Sequence, residues 1–170
     1  MKIGVIGLGT RGNQAHVHTL KQLSEAKITA ICDIDAGRMQ KINEGLPSKA
    51  ATYVDYRELI KDPNVGIVVV ATPGYLHHEM ALTVLRAGKD LVLEKPLALN
   101  YRDAMDVIRE AEKSARVVAV GMQRRYTDAD AQFQSALDSG MIGAVRMIVC
   151  SEYRGDWNPG TWQYTDPATG

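Results

Sequence analysis

Short apolar runs alternate along this chain with stretches of helical periodicity. Lys2 to Gly7, Ile28 to Asp33, Gly66 to Ala71, Leu91 to Leu93 and Val117 to Gly121 read as strands, with a shorter edge strand at Ala51 to Tyr53. Ile67 to Ala71 is apolar at every position, as a central strand covered on both faces should be. Between these runs the period lengthens. Leu76, Met80, Ala81, Val84 and Leu85 mark one helix face, which Gly88 ends with a left-handed cap. Ala104, Ile108, Ala111 and Ala115 mark a second face, with Asn100 as N-cap, and Ala129, Phe133 and Leu137 a third, before Gly140. Leu46-Pro47-Ser48 and Asp62-Pro63-Asn64 read as turns. This alternation predicts an α/β fold, a mostly parallel sheet with helices on both faces.

Beyond Gly140 the pattern changes. Ala144 to Glu152 reads as a new β-rich run, and Tyr153 to Gly170 carries both tryptophans, two prolines and three glycines without a period. The aromatics of that tail fit packing against a partner subunit, a further domain or a ligand, and a disordered terminus fits equally well.

The first strand runs into Gly7-Leu8-Gly9-Thr10-Arg11-Gly12, the G-x-G-x-x-G spacing. The motif alone is weak. Placed between a strand and a helix, with an acidic residue about 20 positions on, it is a strong signal for dinucleotide binding, and Asp33 supplies that residue. Gly7 allows the tight turn, Gly9 lets backbone approach a pyrophosphate, and Gly12 lets the helix pack on the sheet. The free N–H groups of the helix start then face the phosphates. The fold class is thus a Rossmann-type doubly wound parallel sheet. Asp33 would accept from the adenosine ribose hydroxyls and repel a 2′-phosphate, which favours NAD over NADP. Arg11 and Arg38 would partly offset that repulsion.

Twenty basic and twenty acidic side chains cancel, so no electrostatic footprint for nucleic acid or an anionic membrane is visible. No apolar run approaches a membrane span. Met1 leads straight into a strand without room for a signal peptide, which predicts a cytoplasmic protein. Cys32 and Cys150 each lie in an apolar segment and read as buried, reduced thiols, with no metal-ligand spacing.

Three further blocks carry a resemblance. They are A-T-P-G-Y-L-H-H from Ala71, L-R-A-G-K-D-L-V-L-E-K-P-L-A from Leu85, and V-G-M-Q-R-R-Y from Val120. With the glycine loop, they resemble the Gfo/Idh/MocA family of oxidoreductases in order and spacing. That resemblance implies a Rossmann domain, residues 1–121, followed at 122–170 by the beginning of an α+β substrate and dimerisation domain. It implies NAD(P)-dependent oxidation of a sugar, inositol or related polyol, and a homo-oligomer in the full-length form. Lys95 would be the catalytic residue beside the reacting carbon, taking up the hydroxyl proton. Glu94 would lie near the nicotinamide ribose, and Thr72, Pro73 and His77 would line the cofactor trough. Thr10, Arg11, Ala71 and Gln123 complete the cofactor-binding set, and a cis bond would precede Pro96. His77 could instead bond a backbone carbonyl. His16, His18 and His78 read as polar or solvated surface. Arg124, Arg125 and Tyr126 fall at the domain junction, where a substrate contact and a hinge ion pair are equally good readings.

Family members are considerably longer than this chain. The expectation is therefore a truncated product, a fragment or a chain that pairs with another, unable to complete catalysis alone. Two other readings are an NAD-dependent glycoside hydrolase of the same superfamily and a non-catalytic NAD-binding or oligomerising module.

Overall fold

A computed structural model describes residues 1–151. Chain contacts divide the protein into two compact units, Met1–Gly121 and Met122–Gly170. The first unit is built on strands β1 (Lys2–Ile6), β2 (Lys27–Cys32), β3 (Ala51–Tyr53), β4 (Ile67–Val70), β5 (Asp90–Leu93) and β6 (Val118–Val120). They form one sheet in the order β3-β2-β1-β4-β5-β6, and every neighbouring pair is parallel. All six strands coincide with apolar runs read from the sequence. Parallel neighbours need crossovers, and helices α2 (Ala36–Glu44), α3 (Tyr56–Lys61), α4 (His77–Arg86) and α5 (Tyr101–Ser114) supply four of them. The first crossover is a π-wound segment, Arg11–Val17, that continues into α1 (His18–Leu20).

Both faces of the sheet are dry. Val68, Val70, Leu91 and Leu93 point into one core with Leu59, Met80, Val84 and Val107, while Val69 points into the other with Val5, Ile31, Met39 and Ile42. That two-sided burial is why β4 has no polar position. Fully burying a side chain such as Leu93 stabilises the fold by about 1.5–3 kcal/mol. The β1/β2 ladder shifts register between Ile3 and Gly4, so Ile3 pairs with Ile28 but Gly4 with Ala30. The slip changes the phase of the strand, and Ile28 shares a core with Ile31 rather than with Ala30.

Local chemistry sets the helix ends. Asp35, Asp55 and Asn100 accept from the amides of Arg38, Arg57 and Asp103, each at 2.9 Å, capping α2, α3 and α5. The apolar face of α5 is centred one residue away from the expected one. Val107 is buried and Ile108 is 39% exposed, because Ala104, Val107 and Ala111 turn toward the sheet. Ala115 does not extend that face; it ends the helix in the left-handed region at φ 52°.

The second unit begins with a 3₁₀ turn, Gln123–Tyr126, and α6 (Asp128–Asp138), which Thr127 caps. The expected strand from Ala144 is not formed. Among the described residues no ladder pairs with Ala144–Ser151, and a strand exists only through hydrogen bonds to a neighbour. Glu152 and the aromatic tail lie outside the described residues. Cys150 is consequently exposed rather than buried, whereas Cys32 is buried as expected.

Candidate functional site

The carboxyl ends of β1, β2, β4, β5 and β6 converge on one edge of the sheet. β1 ends in Gly7, whose φ of +83° requires glycine, and whose amide donates to the Cys32 carbonyl at 2.9 Å. A Cβ on Gly7 would stand 2.8 Å from the Ala71 carbonyl group. A Cβ on Gly12 would stand 1.8 Å from the Gly7 carbonyl oxygen, so loop and helix start are in backbone contact. Gly9 is different. Nothing lies within 4 Å of the position its Cβ would take. Thr10 and Arg11 are exposed beside it. Two glycines close the loop on itself and the third leaves a cradle, which suits a pyrophosphate approaching main-chain N–H groups.

Asp33 follows β2 and is 8% exposed. One carboxylate oxygen accepts the Leu8 amide at 2.7 Å, and the other accepts the Asp35 amide at 2.9 Å. Arg38, on the first turn of α2, donates to both oxygens at 3.0 and 3.1 Å. The acidic residue is thus tied directly to the glycine loop, a bond that spacing alone does not reveal. Ile34 beside it is 90% exposed, the most exposed large apolar side chain in the first unit. Sequence reasoning passed over Ile34; its signal is an apolar residue placed directly after the acidic strand end.

On the far side of β1, the Ala71 amide donates to Ile6 and the Glu94 amide to Val70, at 2.8 and 2.9 Å. The strand ends at Ala71 and Glu94 are therefore held in the sheet ladder. Thr72 and Pro73 are half-buried. His77 is 1% exposed, with Nδ1 at 2.6 Å from the Pro96 carbonyl and Nε2 at 2.9 Å from the Thr72 carbonyl. The ring bridges two loops, in line with the backbone-carbonyl reading of this residue. Glu94 is 7% exposed, and Lys95 is exposed, with a cis peptide to Pro96.

His16 also departs from expectation. It is half-buried rather than surface, and its Nε2 lies 3.0 Å from Glu94 Oε1 across 78 residues of sequence. His18 is exposed and bonds Gln22. His78 stands 4.0 and 3.7 Å from the carboxylates of Asp103 and Asp106. Gln123 belongs to the second unit and is exposed there.

The description "oxidoreductase family, NAD-binding Rossmann fold" of the Gfo/Idh/MocA family matches residues 1–122. The chain belongs to the Gfo/Idh/MocA family. Among curated relatives it is 38% identical over 149 residues to an inositol 2-dehydrogenase/D-chiro-inositol 3-dehydrogenase of Lactiplantibacillus plantarum, covering 86% of this chain and 42% of that one. It is 36% identical over 148 residues to a myo-inositol 2-dehydrogenase of Thermotoga maritima, covering 87% and 44%. Among solved structures, the myo-inositol dehydrogenase of Lactobacillus casei in complex with NAD(H) and myo-inositol superposes with a TM-score of 0.79. The two are 32% identical, over 85% of this chain and 43% of that one. The chain spans less than half the length of these relatives. Residues 1–122 are thus an NAD-binding Rossmann domain of that family. No helix among the described residues is long and apolar enough to cross a membrane.

Proposed function

We propose that this chain is the cofactor half of an NAD-dependent dehydrogenase that oxidises a ring hydroxyl of an inositol. The observation that carries the reading is the buried Asp33 carboxylate bonded to Leu8 in the glycine loop, with Lys95 exposed at the end of β5 on the same sheet edge. The relatives' inositol substrates support the choice of a cyclic polyol. NAD, when bound, supplies the hydride acceptor.

The chain's own residues do the rest. Amides of the Gly7–Gly12 loop, with Thr10 and Arg11 at its rim, hold the diphosphate. Asp33 receives the adenosine ribose hydroxyls as the half-exposed Arg38 side chain swings off its carboxylate oxygens, and Ile34 covers an adenine face. Ala71, Thr72 and Pro73 form the wall of the trough, and Glu94 faces the second ribose. His77 contributes by holding the Thr72 and Pro96 carbonyls in place. Lys95 accepts the hydroxyl proton of the substrate as the carbon loses hydride. The unpaired thiols of Cys32 and Cys150 fit the cytoplasm.

NADH binding by this chain, and initial rates of NAD⁺ reduction by the full-length enzyme with myo-inositol, scyllo-inositol and linear polyols, test this reading. Saturable reduction with an inositol supports it. Activity confined to linear polyols, or absence of NADH binding, overturns it.

A further inference from the structure

We propose that His16 is a positioning residue that aims the Glu94 carboxylate at the distal nucleoside of the dinucleotide. The inference rests on the cofactor reading above and adds a residue to it. In the strand order β3-β2-β1-β4-β5-β6, the chain reverses direction of growth at β1 and β4, and a dinucleotide lies across that switch point. Asp33 ends β2 on one side of the switch. Glu94 ends β5 on the other, where the second nucleoside must lie.

Glu94 is held from three directions. His16 Nε2 meets one oxygen at 3.0 Å, and the Lys95 amide donates to the other at 3.3 Å. A Cβ on Gly121 would stand 3.3 Å from the carboxylate, so the acid occupies the room that a side chain at 121 would fill. Among the described residues no lysine or arginine side chain pairs with Glu94, and His16 is its one side-chain partner. A nearly buried carboxylate needs such a partner. An ionised carboxylate offers about four acceptor positions. The His16 ring and the Lys95 amide use two, and the remainder suits a pair of ribose hydroxyls.

The backbone supports the same assignment. Residues Arg11–Val17 are wound as a π-helix, and this wider winding changes where the side chains after Gly12 point. Such winding is concentrated at functional sites. Here it accompanies a side chain that reaches from the loop bound to β1 to the end of β5. The same segment that closes the phosphate loop thereby fixes the acid at the other end of the ligand.

The test compares two ligands on the whole chain by calorimetry: NADH, and ADP, which lacks the distal nucleoside. His16→Ala should weaken NADH about 10-fold while ADP changes less than about twofold, the scale of losing one charge-assisted hydrogen bond. His16→Gln, whose amide can still donate to the carboxylate, should recover most of the NADH affinity. In a Glu94→Gln background, His16→Ala should add little. Equal weakening of ADP and NADH would show that His16 acts only through the glycine-loop helix, and unchanged affinity for both would show that it does nothing; either overturns the proposal. Wild-type protein that bound neither ligand would instead overturn the cofactor reading and the proposal with it.

Discussion

Arg38 lies across both carboxylate oxygens of Asp33, at 3.0 and 3.1 Å, and its own side chain is 43% exposed. The acid proposed to select NAD is therefore partly neutralised by a cation that can swing into solvent. Removing that cation should sharpen selection. Arg38→Ala is expected to weaken NADPH about 10-fold and NADH no more than about threefold, because the unpaired Asp33 repels a 2′-phosphate more strongly. Calorimetric titration with both cofactors checks this; a variant that gained NADPH affinity would refute it.

The glycine loop separates folding from binding. Gly12→Ala places a methyl 1.8 Å from the Gly7 carbonyl oxygen and should destabilise the first unit by roughly 3 kcal/mol. Gly9→Ala meets nothing within 4 Å, so its melting temperature should stay within about 2 °C of wild type. Its NADH affinity should nonetheless fall at least about 10-fold, since the methyl enters the cradle. Thermal melts paired with NADH titrations separate the two effects.

Lys95 is exposed, so its removal leaves no cavity. In the full-length enzyme Lys95→Ala should lower turnover about 100-fold or more, the usual contribution of a positioned proton acceptor, with NADH binding and melting temperature near those of wild type. Near-normal turnover would take the proton-transfer role from this residue.

Burial, with Asp33 and Asp55 adding negative charge, pushes the Cys32 thiol up to about 12 from 9.0. The unfolded chain loses this proton near pH 9 and the folded one only near 12. Unfolding is thus favoured as pH rises through that window, by up to about 1.4 kcal/mol per pH unit. Denaturant melts should show a stability decline above pH 9 that Cys32→Ala reduces. In native protein at pH 8, iodoacetamide should label the exposed Cys150 and spare Cys32.

Ala115 carries the only positive φ outside glycine among the described residues. Ala115→Gly should relieve the left-handed strain, with a net gain of about 0.5–1 kcal/mol after the added unfolded-state entropy. A lower denaturation midpoint would contradict this.

Elements were legible where a single segment carries its own signal. Ile67 to Val70 reads as a buried strand because both of its faces are covered, and Asn100 reads as a cap because its side chain bonds an amide three residues on. Ala144 to Ser151 carries equally good alternation and yet pairs with nothing among the described residues. Alternation describes which face a strand would bury, and says nothing about whether a neighbour is there to complete its ladder.

The order of residues along the chain was enough to specify the parallel α/β sheet, the glycine loop and the acid at Asp33, because turn geometry and hydrophobic period act over a few neighbours. It did not reveal that His77 reaches the Pro96 carbonyl or that His16 reaches Glu94. Those contacts arise only when the sheet has stacked β2, β1, β4 and β5 side by side. Sequence spacing carries no record of which strand end faces which, and packing alone settles it.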